Sequence, residues 1–172
     1  RACYDAWGPH QRVTSPGRGW GKLAEMDEAD WPTEKLIGGV WTIFPHVSIA
    51  FFDDCMYMVS ILYPGDDPGS SMTTQLFVKT GPAPTDEQEI AEEAEFVESR
   101  MKFNLHVVKN EDYSTGLRIQ RALQSGGKQV NLFGRNEGGG QRFHGFLDRL
   151  LDVDDADLPT FFKTVATETA AG

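Results

Sequence analysis

Val40-Trp41-Thr42-Ile43-Phe44-Pro45-His46-Val47-Ser48-Ile49-Ala50-Phe51-Phe52 is dense in β-branched and aromatic residues, the types that fit a pleated, half-buried surface. Pro45-His46 divides it into two short strands, Val40–Phe44 and Val47–Phe52. Asp53-Asp54 follows as a hairpin turn. Two more runs of the same kind come next, Cys55–Tyr63 and Met72–Lys79, parted by the loop Pro64-Gly65-Asp66-Asp67-Pro68-Gly69. Runs this closely spaced favour an antiparallel meander over residues 38–80, because parallel neighbours need long crossovers.

Downstream the period changes. Thr85-x-x-Gln88 reads as a capping box. Behind it Ile90, Ala94, Val97, Met101 and Leu105 recur at spacings of three and four, an amphipathic stripe, with Glu87, Glu92, Glu95 and Glu98 largely off it. A second helix is expected from Asn110, as N-cap, to about Ser125, ended by Gly126-Gly127. A third carries Phe143, Phe146, Leu147, Leu150 and Leu151, with Gly138-Gly139-Gly140 as a turn before it. Upstream, residues 1–35 read as irregular apart from a short strand near His10 to Thr14. Residues 152–172 read as an acidic, then Ala/Thr-rich C-terminal tail with one weak helix around Pro159–Thr167. Strands followed by helices indicate an α+β domain, with a cavity between the curved sheet and its helices.

The chain of 172 residues is 40% hydrophobic and suits one domain with a real core. Net charge is −10, from 26 acidic against 16 basic residues. That balance argues against nucleic acid and anionic membrane surfaces as partners, since both call for clustered Lys and Arg. Cys3 and Cys55 do not make a disulfide framework. No apolar run is long enough to span a bilayer. A cytoplasmic protein is the expectation. The chain opens on Arg1, within what reads as a strand or loop, so it is expected to be a fragment or an excised domain.

Four histidines, His10, His46, His106 and His144, are too far apart in sequence to form a metal site on one element. His106 ends the first long helix, where it can meet carbonyls. His46 is either a pocket wall or simply exposed, and His144 packs at a helix surface. No G-x-S-x-G elbow and no phosphate-binding loop is present. Asp112 falls in the first turn of the second expected helix, heading a stripe of Gly116, Ile119 and Leu123 at i+4, i+7 and i+11. Its carboxylate either points inward or complements the helix N-terminus. Glu111 is the solvent-facing neighbour.

Several stretches together resemble the C-terminal catalytic domain of Rieske-type aromatic ring-hydroxylating oxygenase large (alpha) subunits. They are Tyr4-Asp5-Ala6-Trp7-Gly8-Pro9-His10-Gln11-Arg12, Trp41-Thr42-Ile43-Phe44-Pro45-His46, Leu62-Tyr63-Pro64-Gly65, Glu111-Asp112 with Ile119-Gln120, and Phe133-Gly134-Arg135-Asn136-Glu137 with Phe143-His144. The order holds from about residue 3 to 151, so residues 1–151 are expected to be a partial catalytic domain. The resemblance implies a helix-grip α+β fold. It also implies a mononuclear Fe(II) held by two histidines and one carboxylate, which leaves open positions for O₂. The carboxylate corresponds to Asp112. The histidines would come from a His-x-x-x-x-His helix upstream, and this sequence does not contain that motif. The [2Fe–2S] cluster is expected only in a separate N-terminal domain.

An aromatic substrate, a ferredoxin or reductase as electron donor, and a homotrimer are implied as partners. Substrate-binding candidates are Ile49 and Phe51, which share one strand face, and Val40, Phe103 and Val108, placed by comparison with the family. Ordinary core packing is the bland alternative for all five. Two other functions compete with the oxygenase: a non-enzymatic helix-grip domain binding a small apolar ligand, and an inactive structural remnant.

Overall fold

The computed structural model describes residues 3–17, 20–30, 37–51, 56–127 and 130–168. The expected α+β architecture is present. Six strands form one antiparallel sheet whose spatial order is the chain order: β1 Cys3–Trp7, β2 His10–Pro16, β3 Ile37–Ile43, β4 Val47–Phe51, β5 Met56–Pro64 and β6 Ser71–Lys79. The last four are those read from residues 38–80. The expected Asp53-Asp54 turn lies outside the described residues. The sheet also extends further than expected at its start. The short strand expected near His10 to Thr14 is β2, and residues 3–7, read as irregular, pair with it in a full hairpin in which Tyr4 pairs with Val13 and Ala6 with Gln11. Its turn rests on Gly8, at φ +52°, a conformation that glycine adopts without steric cost.

Register sorts the side chains, because directly paired residues share a face and immediate neighbours point to opposite faces. Gln11, Thr42, Ser48, Ser60 and Gln75 form one cross-strand row. Val13, Val40, Ala50, Met58 and Phe77 form the next row on that same face. The other face carries Arg12, Trp41, Ile49, Val59 and Leu76, then Gly39, Phe51, Tyr57 and Val78. Arg12 pairs with Asp5 at 2.8 Å and sits over the Trp7 and Trp41 rings.

Helix α1 runs Glu87–Val107 and α2 Ser114–Gln124. The cap lies one residue later than the expected box: Asp86 accepts from the Glu89 N–H at 2.8 Å, and the Glu89 carboxylate reaches back to the Thr85 N–H at 3.1 Å. The expected break at Asn110 is absent. Val108–Tyr113 is a π-helical turn that joins α1 to α2 without interruption. Instead of capping, the Asn110 amide donates to the His106 carbonyl at 2.7 Å, and the Ser114 hydroxyl donates to the Asn110 carbonyl at 2.5 Å. The inward face of α1 also differs from the expected stripe. Glu93, Phe96, Val97, Arg100, Asn104 and Val107 are half-buried, whereas Ile90, Met101 and Leu105 are exposed. Apolar residues occur on more than one side of α1, and the side nearest the sheet includes polar ones, such as Glu93, which pairs with Lys79 at 2.5 Å.

Helix α3, Gly138–Leu151, begins at the triple glycine, which forms its first turn and does not precede it. A Cβ on Gly140 would come within 2.9 Å of the Phe133 ring, so glycine permits that approach. Phe146 is buried with Phe44 and Val165, and Phe143, Leu147, Leu150 and Phe161 pack around them. Val165 comes from α4, Leu158–Val165. The segment after Asp152 holds the expected helix, as α4, and closes this cluster. It is also latched to the β1–β2 turn. The Gly8 N–H donates to the Glu168 carbonyl at 2.5 Å, Arg142 donates twice to the Gly8 carbonyl, and Arg149 forks onto the Glu168 carboxylate with both contacts at 2.9 Å.

Candidate functional site

The π turn stands over the sheet face that carries the polar row. Between them lies an open cavity of about 370 Å³. Thr42, Ser48, Ser60 and Gln75 contribute its floor, together with Met58. His46 lines it from the β3–β4 turn, and Val108, Asp112 and Tyr113 from the π turn. π turns insert a residue into the helical repeat, and they recur at functional sites because they re-aim side chains. Here the turn presents Asp112 to the cavity, while Glu111, one residue earlier, does not line it.

A second cavity of about 790 Å³ lies over the first three strands. It meets the first at Thr42, which lines both. Its walls include Tyr4, Val40, Phe133 and Arg135. The Tyr4 hydroxyl donates to Gln11 Oε1 at 3.1 Å. Burial holds its pKa above the ordinary phenol value, with the charge of Arg142 opposing.

The sequence-derived candidates divide. Asp112 and Val108 line the first cavity together. Val40 is on the same sheet face but lines the second. Ile49 and Phe51 do share a strand face, but it is the opposite one, with Trp41 and Tyr57 as neighbours. Phe103 is 62% exposed on α1 and lines neither cavity. Of the histidines, His46 is at the first cavity. His10 accepts the Phe44 N–H at 3.2 Å, His144 packs on the Phe133 and Phe143 rings, and His106 sits beside Asn110. Sequence reasoning missed the polar row. Its signal is the small polar residues at alternate strand positions, such as Thr42 and Ser48.

Asp112 and His46 offer one carboxylate and one imidazole to one cavity. Among the described residues, no group of three or more His, Cys, Asp or Glu is placed to hold a metal. No helix there is long and apolar enough to cross a membrane.

A family model described as ring hydroxylating alpha subunit (catalytic domain) matches residues 1–153. No curated protein and no solved structure matches the chain.

Proposed function

The chain belongs to the family of ring-hydroxylating alpha subunits, as their catalytic domain, and on that premise we propose that it helps build a non-haem iron, Rieske-dependent oxygenase that hydroxylates an aromatic ring with O₂. The observation that carries this reading is Asp112. It sits on a π turn and lines the cavity between helix and sheet, and the sequence resemblance makes it the counterpart of the family's acidic iron ligand.

Iron chemistry sets a requirement that the residues present do not meet. A two-histidine, one-carboxylate site uses three protein ligands. Asp112 and His46 are two groups, and no set of three exists among the described residues. We therefore assign to this chain the carboxylate alone, and the paired histidines to a His-x-x-x-x-His segment that the sequence lacks. Electrons would come through a [2Fe–2S] cluster carried outside these residues, fed by a ferredoxin or reductase. Trimeric assembly belongs to the same proposal.

The chain's own residues bind and orient the ring. Met58, Leu62 and Val108 give the cavity apolar wall, and the sheet floor closes one side against water. Val40 stands beyond Thr42, where a larger substrate would extend. Ile49, Phe51 and Phe103 take no part in this cavity and are not proposed as ring contacts.

The test is iron content in the complete alpha subunit. Losing a partner that only orients a ligand costs roughly 10–100-fold in metal affinity, so losing the ligand itself should cost at least that. Asp112→Ala is expected to purify without iron, with the fold and the Rieske cluster intact, while Glu111→Ala retains iron. Equal iron in Asp112→Ala and wild type would overturn the assignment.

A further inference from the structure

The floor of the Asp112 cavity is chemically unusual for a site that takes a ring. Thr42, Ser48, Ser60, Thr73 and Gln75 all line it, and all are half-buried. None of these five side chains has a hydrogen-bond partner among the described residues. Half-buried polar groups in folded proteins are ordinarily paired, with protein or with water. Their shared orientation is fixed by register, since Thr42, Ser48, Ser60 and Gln75 are consecutive cross-strand partners. Among the described residues no Lys or Arg lines this cavity, and its carboxylate is Asp112.

We propose that the cavity selects aromatic rings bearing a neutral hydrogen-bonding substituent, such as a hydroxyl or amide, over bare hydrocarbons and over aryl carboxylates. This rests on reading the cavity as the ring site. A bare hydrocarbon would strip water from the hydroxyls and the amide and leave them unpaired, which is costly. In this chain an aryl carboxylate would enter a cavity whose acid is Asp112, whose imidazole is His46, and which no Lys or Arg lines among the described residues. The guanidinium of Arg135 belongs to the neighbouring cavity. A neutral hydroxyl or amide both donates and accepts, as the Ser, Thr and Gln side chains do. The ring itself rests against Met58, Leu62 and Val108.

The experiment titrates the 172-residue chain with naphthalene, 2-naphthol and 2-naphthoate, with binding followed by saturation-transfer NMR and calorimetry. Each neutral hydrogen bond lost is expected to weaken binding by about threefold to tenfold. So 2-naphthol should bind about tenfold more tightly than either other probe, on the basis of one or two such bonds. The double variant Ser60→Ala/Gln75→Met should remove that advantage and leave naphthalene binding equal or tighter. Thr42→Val, which keeps the shape of the side chain, is a second variant whose folding is checked by circular dichroism. Naphthalene or 2-naphthoate binding wild type as tightly as 2-naphthol would overturn the selectivity and leave the ring site standing. So would 2-naphthol affinity unchanged in both variants. Binding of none of the three to the folded chain would overturn the ring site and the selectivity together.

Discussion

Glu111 and Asp112 are adjacent acids, and the backbone alone gives them different surroundings. A helix turns about 100° per residue, so neighbours cannot share a direction. Spacing in the sequence could place Asp112 at the head of an apolar stripe, but could not say whether that stripe faces the sheet. Ile119 and Leu123, which continue it, are in fact exposed. The same limit explains Ile49 and Phe51. Alternation shows that two residues share a face and is silent on which face meets the helices. Gly8 is one residue of a motif in the sequence, yet it carries the closest backbone approach in the molecule's closure. A Cβ there would collide with the Val165 carbonyl oxygen, and its φ of +52° strains most residues other than glycine. Gly8→Ala is expected to destabilise the chain by about 2–3 kcal/mol, read as a lowered urea midpoint. Gly8→Asn tests the cause. Asn tolerates positive φ but still carries a Cβ, so a loss as large as that of Ala marks the collision as the dominant cost.

At the level of elements, the strands from 37 to 79 were legible from their β-branched and aromatic runs, and the presence of the helices from apolar spacings of three and four, though not which side of α1 faces the sheet. Of the hairpin of β1 and β2, the strand near His10 to Thr14 was legible but its partner β1 was not, since Trp, Gly and Pro punctuate the turn between them. The π turn was the other omission. Asn110 is an equally good N-cap in isolation, and only the structure shows its amide on the His106 carbonyl. If the extra residue of that turn aims Asp112, deleting Lys109 should restore a regular helix and rotate Asp112 and α2 by about 100° about the helix axis. Helical circular dichroism should persist, while ring binding by the chain and iron retention by the complete subunit are lost. Iron retained at the wild-type level in the deletion variant would show that the turn is not what positions the carboxylate.

Across the whole molecule, the apolar cluster of Phe44, Phe146 and Val165 joins the sheet turn to both C-terminal helices. Phe146→Ala should cost about 3–5 kcal/mol, the range for emptying a buried aromatic site, measured by chemical denaturation. The latch above it is expected to respond to pH. The hydrogen bond from Arg149 holds the Glu168 carboxyl below its ordinary value. A depressed acid stabilises the fold above its unfolded pKa and loses that contribution as pH falls through the lower folded value. Amides of Val165–Thr167, compared with the unstructured chain at each pH, should therefore lose protection below about pH 4 while those of the sheet do not, and Glu168→Gln should remove that difference. The topology also has a consequence in time. Every strand pairs with its neighbour in the chain, so the sheet can assemble from local loops alone. Arg142 and Gly8, by contrast, meet across a separation of 134 residues. On a ribosome, the meander would be synthesised well before the segment that locks its first turn, leaving that turn unlatched until the last stretch emerges. Refolding should accordingly show Trp41 reaching its native emission before Phe146 is buried, and Arg142→Ala should slow only the second event.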